Sequence, residues 1–136
     1  MYEFFDHTAD LGIHVESARL EDIYAEAAEA LFAVICDEPE SIKSMESRRY
    51  QITGGDRAIL LFDWLRTALL AFETDGWLLH HADVTIGDEG LTIAAYGEPF
   101  DPNRHPLGHE VKAITYHGLR VERHGNGWMA EVIVDI

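Results

Sequence analysis

The chain has 136 residues, 47% apolar and 26% charged, with a formal net charge of −15 from 25 acidic and 10 basic residues. That length suits one domain able to bury a core without staples, and the lone Cys36 excludes an intramolecular disulfide. The scattered lysines and arginines argue against direct, tight binding of naked nucleic acid, and no apolar run approaches the roughly 20 residues that span a bilayer. The N-terminal Met1-Tyr2-Glu3-Phe4-Phe5-Asp6 lacks the basic start and apolar core of a signal peptide, so a soluble cytoplasmic protein without membrane contact is expected. An acidic surface suits a basic protein partner or a divalent cation, or serves solubility alone.

In chain order, residues 2–5 and 12–16 read as short strands around the element His7-Thr8-Ala9-Asp10. Residues 20–36 carry Leu20, Ile23, Tyr24, Ala27, Leu31, Val34 and Ile35 at the period of an amphipathic helix, with Ser17 as its N-cap and Pro39 closing it off. Residues 45–53 alternate as a strand that Gly54-Gly55 breaks. Asp56 can cap a second helix reaching about Glu73, apolar almost all round and therefore expected to be the buried one. Strands 79–86 and 91–96 flank Gly87-Asp88-Glu89-Gly90, a hairpin signal. A polar loop at 97–110, an alternating strand at 110–123, a turn at Gly125-Asn126-Gly127 and a last strand at 128–134 complete the chain. The pattern predicts a single α+β domain over 1–136, two helices packed on a mostly antiparallel β-sheet.

The chemistry concentrates at the two ends. Val134-Asp135-Ile136 closes a strand-like run, so the Asp135 side chain and the Ile136 α-carboxylate stand close together, and Asp10 comes from a tight element near the other terminus. Termini of one domain often lie near each other. Three anionic oxygen donors would suit Ca²⁺ or Mg²⁺ rather than Zn²⁺. The alternative is that Asp10 only caps a turn and Asp135 is solvated. Among the histidines, His80, His81, His105, His109 and His117 are the candidates for zinc, but Pro106 and Gly108 break the one H-x-x-x-H spacing and no second cysteine exists. His7 reads as a hydrogen-bond partner that orients Asp10. Cys36 ends an apolar stripe, where a thiol is inert. Asp63 beside Trp64 calls for a structural partner. Lys112 shares a strand face with Glu110, as a surface ion pair or as a contact to a partner's phosphate or carboxylate. No nucleophile motif, P-loop or dinucleotide fingerprint is present.

His7-Thr8-Ala9-Asp10-Leu11-Gly12-Ile13, Asp63-Trp64-Leu65, Ala95-Tyr96-Gly97-Glu98-Pro99-Phe100-Asp101, Glu110-Val111-Lys112-Ala113-Ile114-Thr115-Tyr116-His117 and Val134-Asp135-Ile136 together resemble the archease family, in order and across nearly the whole chain. The resemblance implies a non-catalytic accessory protein that activates an RtcB-type RNA-splicing ligase by promoting its guanylylation and multiple turnover. It also implies a divalent-cation site at Asp10, Asp135 and Ile136, holding Ca²⁺ with Mg²⁺ or Mn²⁺ as working ions, and a partner contact at Lys112. A chaperone-like adaptor for RNA-modifying enzymes such as tRNA methyltransferases is the alternative; a stand-alone hydrolase using the acidic site lacks a base or nucleophile. Where many family members continue Trp64-Leu65 with Asn-Glu, this chain has Arg66-Thr67-Ala68, a change of charge that would match it to a particular ligase if the helix binds one.

Overall fold

The computed structural model describes residues 1–7 and 10–136, with His7 described through its backbone alone. The His7 side chain and the residues Thr8 and Ala9 of the N-terminal motif thus lie outside the described residues. Strands β1 (Tyr2–His7) and β2 (Asp10–Ser17) form a hairpin, followed by α1 (Leu20–Ile35), a short 3₁₀ turn at Pro39–Ser41, β3 (Glu46–Thr53) and α2 (Arg57–Asp75). The hairpin β4 (Trp77–Gly87) and β5 (Gly90–Pro99) comes next, then β6 (Ala113–Ile114), β7 (Arg120–His124) and β8 (Gly127–Asp135).

The α+β reading holds, with the strands divided between two antiparallel sheets. The middle of the chain pairs with itself in the order β3-β5-β4, whereas the two ends pair with each other. In that second, five-stranded sheet β8 is central. One edge of β8 pairs with β2 along its length, and the other pairs with β7 and then β6.

Helix α1 packs against both β2 and β4 and so bridges the two sheets. It, rather than α2, is the central helix: Ile23, Tyr24, Ala27, Ala28, Ala30 and Leu31 are fully buried, and the alanines let both sheets approach the helix closely. The all-round apolar character of α2 instead leaves Ile59 and Leu70 exposed, at 44% and 56%. Hydrophobicity without an amphipathic stripe does not tell which side a helix will bury. The helices are tied together by polar bonds inside the core. The Trp64 indole donates to the Tyr24 carbonyl at 3.1 Å, and the Tyr24 hydroxyl donates to the Arg57 carbonyl at 2.9 Å. Burial pushes the Tyr24 phenol up to about 12.

Local signals worked unevenly. Asp56 caps α2 by accepting from the Ile59 amide at 3.0 Å, and Gly76 ends it in the left-handed conformation. Ser17 does not cap α1; it ends β2, and the cap position is Arg19, which contributes no side-chain bond. The strand expected over 110–123 is two short ones, because a turn at Tyr116–Leu119 with Gly118 at φ 65° interrupts it. Gly97 sits where β4 shifts register between Leu79 and His81, and a Cβ there would meet the Leu78 carbonyl oxygen at 1.9 Å. Gly97→Ala is expected to destabilise the protein by about 2 kcal/mol in urea unfolding, since a rigid backbone atom must move. A negligible loss would mean that β4 can shift aside.

Candidate metal centre

In the β2–β8 ladder Asp10 stands directly opposite Asp135, and on its other side Asp135 is opposite Ala113 of β6. Directly opposed residues share a sheet face with Cβ atoms about 4.5–5.5 Å apart, so the two aspartate side chains leave the sheet side by side. That face is the one away from the helices, because Val134 and Val132, one and three residues before Asp135, belong to the core. Ile136 turns the other way and packs its side chain against the core, which anchors the residue carrying the α-carboxylate beside Asp135. The Lys112 amide donates to the Asp135 carbonyl at 2.7 Å and extends the ladder past β6. Asp10, Asp135 and Ile136 are each half-buried.

These donors are hard oxygens on a rigid sheet end, a set that fits Ca²⁺, Mg²⁺ or Mn²⁺ and offers nothing to a soft metal. Among the described residues no three His, Cys, Asp or Glu side chains are arranged to hold a metal ion, so the third donor of the expected site would be the α-carboxylate of Ile136. None of the histidines weighed for zinc joins such a group among the described residues.

Lys112 is placed differently from the strand reading. It and Glu110 precede β6 and make no ion pair with each other among the described residues. The Lys112 main chain joins the carboxylate end of the sheet, while the residue lines a groove of about 400 Å³ with Arg66, Leu69, Leu70 and Glu73 of α2. Cys36 is fully buried, its thiol pointed at the Glu38 carbonyl at 3.4 Å, which fits an inert role.

Further along the same sheet face, His14 bonds Glu131 and Glu16, each at 2.8 Å, and Arg120 reaches Glu131 at 2.8 Å. Burial lowers the His14 pKa, but the two carboxylate bonds outweigh it and hold the group above its ordinary value.

A second polar cluster escaped the reading of the sequence. Glu98, only 3% exposed, is bound by Arg104, by the Lys43 amide at 2.6 Å and by His105 Nε2 at 3.1 Å. Since His105 Nδ1 accepts from the Asp101 amide at 2.9 Å, its proton sits on Nε2 and is donated to Glu98. Burial pushes the Glu98 pKa up, but these donors prevail and bring it down to about 2. The one available sign was a glutamate enclosed by Gly97 and Pro99 inside a strand. Nothing local indicated that the loop would fold back over it.

Residues 2–136 match the archease protein family. The protein archease of Methanopyrus kandleri is 40% identical over 139 aligned positions, covering 99% of each chain. That of Sulfurisphaera tokodaii is 36% identical, covering 99% of this chain and 98% of its own. Among solved structures, Methanobacterium thermoautotrophicum protein 1598 superposes with a TM-score of 0.82 at 34% identity, covering 99% of this chain and 98% of that one. A Thermotoga maritima crystal structure, described as an archease and possible chaperone, shares the fold with a TM-score of 0.68 at 20% identity, covering 100% of this chain and 98% of that one.

Proposed function

This chain belongs to the archease family, and on that footing we propose that it serves an RtcB-type RNA-splicing ligase as a non-catalytic activator, promoting the ligase's guanylylation and multiple turnover. The observation that carries the reading is the register of Asp10 against Asp135 at the chain's own terminus. Two carboxylates fixed face to face repel each other, and a sheet that keeps them there is suited to share a cation. Asp10, Asp135 and the Ile136 carboxylate would hold it, with the core-packed Ile136 side chain setting the third donor. When bound, a divalent ion supplies charge neutralisation to a nucleotide's phosphates during transfer to the ligase. The chain's own part is to position: the ladder holds the oxygens, and the Lys112 amide ties the neighbouring segment to the same edge.

A cytoplasmic site of action accords with the buried, reduced Cys36. Among the described residues no helix is long and apolar enough to cross a membrane. With a net charge of −15, contact with RNA runs through the ligase rather than through this chain.

The test is guanylylation of a cognate ligase by labelled GTP, with the native protein, with Asp135→Ala, and with a few residues appended after Ile136. Each change removes or displaces a direct donor and is expected to reduce stimulation by at least the roughly 10–100-fold lost with an outer-shell partner of a metal ligand, with the fold intact by circular dichroism. Unchanged stimulation would refute the cation site as the working part. Ligase binding that persists without any effect on guanylylation would favour the chaperone-like adaptor.

A further inference from the structure

The groove between α2 and residues 112–116 has no part in holding a cation, and we propose that it docks an acidic segment of a partner protein, anchored by an aromatic or branched aliphatic side chain. The inference rests on this chain acting on a protein partner.

The floor is apolar. Leu69 and Ile114 are buried beneath it, and Leu70 on the rim is 56% exposed. Phe62 lines the groove and its ring stacks on Tyr116, with centroids 3.9 Å apart and planes 16° from parallel, and Tyr116 is itself 60% exposed. Two large exposed apolar side chains, Leu70 and Tyr116, thus stand beside an apolar-floored groove, the setting in which a partner's side chain can be buried. The volume of about 400 Å³ accepts one or two large side chains.

The rim inverts the charge of the molecule. Arg66 and Lys112 both line the groove, against the single carboxylate of Glu73. Among the described residues neither cation makes an ion pair. Elsewhere Arg48, Arg104 and Arg120 are engaged by carboxylates, and Arg57 and Arg123 lie over the Trp128 ring. In a chain of net charge −15, a local excess of positive charge over an apolar floor attracts an acidic peptide that the rest of the surface repels. Nucleic acid is disfavoured by the same balance, because phosphates beyond the groove would face carboxylates. The Lys112 amide bond to Asp135 sets the groove beside the carboxylate pair, so a docked segment brings its parent protein against that sheet end.

The probe is a short peptide of Glu and Asp around one Trp and one Leu, titrated into isotope-labelled protein while amide shifts are followed. A Lys-substituted version of the peptide and a short uridine oligonucleotide serve as controls. Shifts at Leu69, Leu70, Ala113 and Ile114 are expected with the acidic peptide alone. Leu70→Asp, a change at an exposed position that leaves the core intact, is expected to abolish them. Arg66→Glu should weaken binding about tenfold and favour the Lys-substituted peptide. Absent shifts, shifts elsewhere, or equal shifts with the oligonucleotide would overturn the proposal. Failure of ligase stimulation with these shifts present would count against the proposed function and leave the groove standing.

Discussion

Asp135→Asn is expected to raise the thermal midpoint in chelator-treated buffer and to lack the further rise that the proposed site predicts for the native protein with Ca²⁺ or Mn²⁺. Both effects follow from the register that sets Asp10 opposite Asp135. Like charges directly opposed across strands cost about 0.2–1 kcal/mol, and asparagine removes the repulsion while keeping the shape. In the native protein a cation held by the folded state alone stabilises it by about 2.7 kcal/mol at a hundred times its dissociation constant, or several degrees for a domain of this size. The two variants therefore cross: the mutant is the more stable without metal and the less stable with it. Differential scanning calorimetry across a calcium titration reads this directly. An equal metal-induced shift in both proteins would remove Asp135 from the site, whatever the ligase assay gives.

Glu98→Ala is expected to cost about 3–5 kcal/mol, the larger of the stability effects, without touching the carboxylate pair at the other sheet. It leaves the buried His105 Nε2–H and the Lys43 amide without an acceptor and the Arg104 guanidinium without its partner. Glu98 also dates the loss of stability with acid. Its pKa falls from an ordinary 4.5 to about 2 on folding, so its contribution is fully present above 4.5 and is lost as the pH falls from 4.5 toward 2. The full contribution corresponds to about 3 kcal/mol at neutral pH. Unfolding by guanidinium at pH 7 and pH 3 checks both statements: the native protein should lose stability between them, and Glu98→Ala should show that part of the loss abolished. A variant as pH-sensitive as the native protein would mean that other carboxylates govern the acid limb.

Elements announced by contiguous residues were legible. The α1 stripe, the Asp56 cap and the hairpin around Gly87-Asp88-Glu89-Gly90 each depend on bonds between near neighbours, and each appears within a few residues of its expected place. The failures share a cause as well. Alternation over 110–123 is compatible with one strand, but β8 offers its free edge to two separate segments, so the chain turns at Gly118 between them. The depth of α2 and the Glu98 cluster depend on what packs over them, and that is set by residues distant in the chain.

Composition, periodicity and turn chemistry by themselves determined an acidic α+β domain, and the order of its motifs identified the archease family. They also singled out Asp10, Asp135, Ile136 and Lys112. Tertiary structure alone decided that Asp10 and Asp135 face each other, since the pairing of β2 with β8 joins residues at opposite ends of the chain. It likewise turned Lys112 toward α2 and built the groove there. Local propensity acts over a few residues, whereas strand register and side-chain burial are settled by the free energy of the whole packed core.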